Sequence, residues 1–128
     1  MTSGPEPVGT LDVALAHAEK LLVSQPGLAA EQAREILGAI PNHPAATLLL
    51  AMARRRSNDV ADALRILEPL AASQPRWAVA QRELGLALGD AGRGEEAVAA
   101  LRTAVRLQPT MADAWRALGD HLYAMGDT

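Results

Sequence analysis

Five arginines carry the chemistry most worth asking about: the run Arg54-Arg55-Arg56, and the pair Arg82 and Arg116, which stand 34 residues apart. A guanidinium stays charged at any physiological pH, and its planar fork of donors fits a carboxylate bidentately, so these residues suit an acidic ligand. A plainer reading stands beside this one for residues 54–56. Cations at the end of a helix are stabilised by its dipole and by water whether or not anything binds.

No catalytic constellation accompanies the arginines. His17, His43 and His121 are spread along the chain with no i,i+4 pair and no HExxH, so they read as exposed or partly packed side chains. Cysteine is absent, which removes thiolate nucleophiles, disulfides and cysteine metal sites. The glycines of residues 89–94 lack the lysine and hydroxyl of a phosphate loop and follow a helical pattern, so they are turn residues. Ser24, Ser57 and Ser73 lie between helices without a nearby base, and Glu95-Glu96 is explained by the positive end of a helix. The expectation is a non-enzymatic chain with no metal and no cofactor.

The elements that must position these side chains are helices. With 27 Ala, 19 Leu and no Phe, the strongest helix formers dominate and strand formers are scarce. A net charge of -3 gives no general attraction to nucleic acid or anionic membrane, and no run of 18 apolar residues spans a bilayer. The first nine residues, rich in Pro and Gly, lack the basic and apolar regions of a signal peptide. They are expected to be a disordered tail, and the protein to be cytoplasmic.

Apolar spacing predicts seven helices, over residues 11–23 (capped by Thr10), 28–38, 45–56, 60–72, 77–91, 95–107 and 112–125. Residues 25–27 (Gln-Pro-Gly), 41–44, 57–59 and 92–94 are the turns, with Asp59 as an N-cap and Asp62 in the first turn that follows. Pro69 should kink or shorten the fourth helix, because proline removes a donor and clashes with the previous turn. Pro41, Pro75 and Pro109 recur every 34 residues, so the chain is a series of copies of one two-helix unit.

Leu84-Gly85, Leu88, Gly92, Ala97, Leu101, Ala104 and Pro109 resemble the tetratricopeptide repeat signature, and Trp115, Leu118-Gly119, Leu122 and Gly126 repeat its first half. Residues 44–77 match through Leu50, Ala63, Leu67, Leu70 and Pro75, with Ala51 in place of the small glycine, and residues 10–43 are a degenerate copy. Gly85, Gly119 and Ala51 fall where paired helices come closest, with Ala97 and Ala63 as facing small residues. The resemblance implies an all-α solenoid of antiparallel helix pairs in a right-handed superhelix. It would hold about three and a half repeats, at residues 10–43, 44–77, 78–111 and 112–128.

It also implies a concave groove lined by the first helix of each pair, which presents a peptide or protein partner with a fixed set of side chains. Carried over, that lining is Ala45, Leu48, Met52, Arg55 and Arg56; then Val79, Arg82, Leu86 and Asp90; then Asp113, Arg116, Asp120 and Tyr123. Arg82 and Arg116, with Arg55 or Arg56, would form a guanidinium ladder suited to an acidic, amphipathic peptide. Asp113, Asp90 and Asp120 offer the competing outcome of internal pairing. The Lys and Asn clamp of chaperone-tail binders is absent, since Asn42 and Asn58 fall in turns.

The wording of residues 28–37, 63–78, 83–88 and 113–128 further resembles the N-terminal repeat region of bacterial tetratricopeptide–sulfotransferase proteins, which implies a non-catalytic arm of a larger enzyme. Residues 112–128 read as the first helix of a fourth copy, so the chain is expected to be a piece of something longer. An uncovered apolar face on that helix predicts a homodimer through residues 112–125.

Overall fold

A computed structural model describes residues 7–126, with side chains from residue 10 onward. Seven α-helices follow one another, with no strand among the described residues: α1 (Pro7–Ser24), α2 (Pro26–Ala39), α3 (Pro44–Arg56), α4 (Val60–Ser73), α5 (Ala78–Asp90), α6 (Gly94–Leu107) and α7 (Ala112–Ala124). They form two compact units, α1–α3 and α4–α7, divided between Asp59 and Val60.

Two helix starts differ from the sequence expectation, and a third expectation concerns Pro69. The first helix starts at Pro7, so Thr10 lies within α1 and is not its cap. The part of the expected tail at residues 1–6 lies outside the described residues. Pro26 and Gly27 open α2 instead of forming a turn, because proline's missing donor is one that the first helical turn leaves unused in any case. α4 runs on past Pro69 to Ser73 and is not shortened. Pro69 is exposed, while Leu70 and Ala71 beside it are buried, so packing of the last turn outweighs the lost backbone bond.

In the first unit, Ala18 and Leu22 of α1 pack with Ala29, Ala30 and Ala33 of α2 and with Leu49 and Ala53 of α3. In the second, Val98, Leu101, Ala104 and Val105 of α6 form the core with Ala78 of α5 and Ala114 and Leu118 of α7. Alanine at the contacts lets the helix axes approach closely. Leucine fills what remains, and Leu67 and Leu101 are wholly buried.

The junctions repeat as strictly as the helices. Asn58 (φ 64°), Gly92 (φ 81°) and Gly126 (φ 76°) are 34 residues apart, and each turns the chain through the left-handed region after α3, α5 and α7. Behind Asn58, the Asp59 N–H reaches the Arg54 carbonyl at 2.8 Å and the Asn58 N–H reaches Arg55 at 3.0 Å. Behind Gly92, the Arg93 N–H reaches Leu88 at 2.9 Å and the Gly92 N–H reaches Gly89 at 3.0 Å. These six-to-one and five-to-two bonds are the Schellman closure, which satisfies the last carbonyls of a helix.

The other set of junctions is equally regular. His43, Trp77 and Met111 precede α3, α5 and α7, and each donates its backbone N–H to the carbonyl three residues back, on Ile40, Gln74 and Gln108. His43 adds a side-chain cap, its Nδ1 accepting from the Ala46 N–H at 3.2 Å.

Candidate functional site

On α5 the residues Val79, Arg82, Leu86 and Asp90 follow one another at helical spacing, and α7 lies alongside. Arg82 joins the two helices. Its Nε and Nη2 donate to Glu83 Oε2 at 3.3 and 3.1 Å, and its Nη1 lies 3.5 Å from Asp113 Oδ2 on α7. Arg82 is therefore internally paired and is not a free rung of a ladder. Asp113, three residues before Arg116, gives its carboxylate to the other helix.

The sequence reading missed Glu83. Only 2% exposed, it is the buried charged residue of the core, held beside the Arg82 guanidinium. A signal for it existed. Ala80, Glu83 and Ala87 form a 3–4 stripe on α5, and all three are buried, so a carboxylate stands where the pattern calls for an apolar residue.

The rest of α7 is open. Arg116, Asp120 and Tyr123 are exposed, Tyr123 at 75%. Arg116 makes no ion pair among the described residues. Asp90, at the end of α5, is exposed and Leu86 is half-buried. His121 sits over Gly89, so α5 and α7 also touch near their C-terminal ends. The second unit thus brings Arg82 of the expected lining against Asp113, and leaves Arg116, Asp120 and Tyr123 at the surface.

The α3 members belong to the first unit. Leu48 is buried, so it serves packing and offers little surface to a ligand, contrary to its expected place in a lining. Met52 packs partly against the core of α1 and α2. Ala45 and Arg55 are half-buried and Arg56 is exposed. Of the histidines, His43 caps α3, His121 packs on Gly89 and His17 is exposed. Among the described residues, no group of His, Asp or Glu side chains is arranged to hold a metal ion. Nor is any helix there long and apolar enough to cross a membrane.

Elsewhere in the second unit, Arg93 bridges α6 to α4. It donates to Glu96 at 2.8 and 2.7 Å through two nitrogens, and to Glu68 at 3.1 Å. The bond from Arg93 holds the Glu96 carboxyl below the ordinary carboxylate range, and the same bond raises the Arg93 pKa.

Comparison with known proteins places this geometry. Residues 82–128 match the family model described as tetratricopeptide repeat. No curated protein matches the chain by sequence. Among solved structures, a segment of MamA from Desulfovibrio magneticus RS-1 superposes with a TM-score of 0.77 at 24% identity, over 89% of this chain and 65% of that one. The first tetratricopeptide domain of Spaghetti (RPAP3), bound to the HSP90 peptide SRMEEVD, gives 0.79 at 20% identity, over 89% and 91%. An O-GlcNAc transferase from Thermobaculum terrenum gives 0.85 at 23% identity, over 95% of this chain and 23% of that one. This chain therefore spans less than two thirds of the MamA segment and a minor part of the transferase. These likenesses establish the α-solenoid fold of helix pairs. Residues 82–128 are thus similar to tetratricopeptide repeats, and the solved structures extend the likeness of fold to the rest of the 34-residue repeats.

Proposed function

We propose that the chain is a protein-interaction scaffold, acting in the cytoplasm, whose α5–α7 face takes a peptide or protein partner. The observation that carries this reading is the clamping of Arg82 by Glu83 and Asp113. That clamp fixes α5 against α7 and leaves Arg116 beside the exposed Asp120 and Tyr123. Arg116 is the guanidinium that a ligand carboxylate would meet, with Leu86 and the Tyr123 ring supplying apolar contact. The Spaghetti structure, whose bound peptide is acidic, supports a peptide ligand of this kind.

A labelled acidic, amphipathic peptide set, followed by fluorescence anisotropy, tests the proposal. Arg116→Glu should weaken the best binder by about tenfold, because a charge-assisted bond is lost and a repulsion is gained. Unchanged affinity would sink it.

A second reading has its own support. The transferase likeness matches this chain to a minor part of a larger enzyme, as the sulfotransferase resemblance implies for its own family. In that reading the chain is a non-catalytic arm that positions a substrate for a neighbouring domain. The reading frame downstream of Thr128 decides between them: a following catalytic domain supports the arm, and a stop codon excludes it.

A further inference from the structure

The charges of the α5–α7 face do not balance. Arg82 and Arg116 supply two guanidiniums, against the carboxylates of Glu83, Asp90, Asp113 and Asp120. The Arg82 charge is already shared, because Glu83 is buried against it and Asp113 lies 3.5 Å from its other terminal nitrogen. One positive charge between two carboxylates leaves that end of the face negative in sum. Asp113, its side chain 59% exposed, lies in the first turn of α7, where the helix's own amides favour a carboxylate.

Along α7 the charges then alternate. Asp113, Arg116 and Asp120 are three and four residues apart, which puts them on one side of the helix, about 5–6 Å from one to the next. All three are exposed. Arg116 and Asp120 have the spacing of a helical ion pair, yet neither makes one among the described residues. A ligand carboxylate that reaches Arg116 therefore arrives between two carboxylates of the chain itself.

We propose that the α5–α7 face selects a partner segment in which one acidic side chain is bracketed by basic ones, a helical turn to either side. The carboxylate meets Arg116, and the two cations meet Asp113 and Asp120. This rests on the reading of the face as the partner-binding surface and adds the charge pattern of the partner. Selection works by repulsion as well as attraction. A uniformly acidic segment satisfies Arg116 but sets like charges against both aspartates. A uniformly basic one satisfies the aspartates and is repelled by Arg116.

Three fluorescein-labelled peptides probe it, on one alanine–leucine helical background, varied at a central position and four residues to either side. Their charged triplets are Lys-Glu-Lys, Glu-Glu-Glu and Lys-Lys-Glu. Fluorescence anisotropy should rank Lys-Glu-Lys tightest, by about two- to fivefold for each mispaired side chain in the others, the scale of an exposed ion pair. Lys-Lys-Glu has the same charge as Lys-Glu-Lys, so its weaker binding would show that order matters beyond net charge. Raising the salt concentration should narrow the spread. Asp113→Lys combined with Asp120→Lys should put Glu-Glu-Glu first, and Asp120→Lys alone should narrow its deficit, with circular dichroism confirming helical variants. Glu-Glu-Glu or Lys-Lys-Glu bound as tightly as Lys-Glu-Lys, while Arg116→Glu still weakens Lys-Glu-Lys, would overturn this charge pattern and leave the binding face standing. No binding by any of the three, or affinities that Arg116→Glu leaves unchanged, would overturn both.

Discussion

The imidazole of His121 on α7 lies so close over Gly89 on α5 that a Cβ at residue 89 would meet the ring, 2.6 Å from Cε1. Gly85, one turn earlier, faces the buried Leu101 on α6 instead. α5 therefore uses one glycine for each neighbour, and the two differ in what stands opposite. One contact is with the end of a side chain that can turn away. The other is with a leucine locked in the core.

Three helical glycines should then respond differently to alanine. Gly85→Ala overpacks Leu101 and should cost about 1–3 kcal/mol. Gly119→Ala meets open space and should gain about 0.5–1 kcal/mol from helix propensity. Gly89→Ala should fall between them, and His121→Ala should restore its full gain in a double-mutant cycle. Urea denaturation of the set measures this, and a common sign for Gly85→Ala and Gly119→Ala would contradict the packing.

Asn58 holds a left-handed φ at the position where the next two repeats have glycine. Asn58→Gly should be neutral or mildly stabilising, and Asn58→Ala should cost about 1 kcal/mol, because a Cβ disfavours that region and alanine lacks the side-chain hydrogen bonding that favours asparagine there. Thermal melts of the two variants side by side give the comparison. An alanine variant as stable as the glycine one would mean that the turn can relax.

Arg82 and Asp113 share an ion pair but not its consequences. Arg82→Ala takes the cation away from a carboxylate that is 2% exposed and should cost about 3 kcal/mol. Asp113 is largely exposed, so Asp113→Ala should cost less than about 1 kcal/mol. Chemical denaturation orders them, and a reversed order would show that the buried pair is not what Arg82 serves.

Glu96 gives up its proton more readily in the folded chain than in the unfolded one, because Arg93 donates to its charged form. The stabilisation it supplies is present above the unfolded value of 4.5 and is lost as pH falls through the lower folded value. Carboxyl carbon chemical shifts should place its midpoint below 4.5, and Arg93→Gln should return it toward that value. A midpoint at the ordinary value in the parent chain would refute the bond.

The repeat was legible because its demands are local: proline at the corners, glycine or asparagine where φ is positive, leucine and alanine at helical spacing. Gly85 is a case where residue type alone announced a close contact, and the structure has Leu101 there. What escaped was set by tertiary context. The spacing predicts a helix through Pro69, but not its reason, the burial of Leu70 and Ala71 beside the proline. Glu83 reads as a surface carboxylate until the buried stripe it shares with Ala80 and Ala87 is recognised. The pairing of Arg82 with Asp113, not Arg116 with Asp113, depends on how α7 lies against α5, which no spacing within α7 reveals.

The recurring junctions bear on how such a chain can change length over generations. Each turn is closed by backbone bonds within six residues, and the next helix starts from the same carbonyl three positions back. Inserting one residue inside a helix would rotate everything after it by about 100° and turn the apolar stripe out of the core. Inserting 34 residues brings the same junction round again with every contact already solved. Growth or loss of this chain is therefore quantised, by whole-repeat duplication or deletion, while single-residue insertions are confined to the exposed corners at Pro41, Pro75 and Pro109.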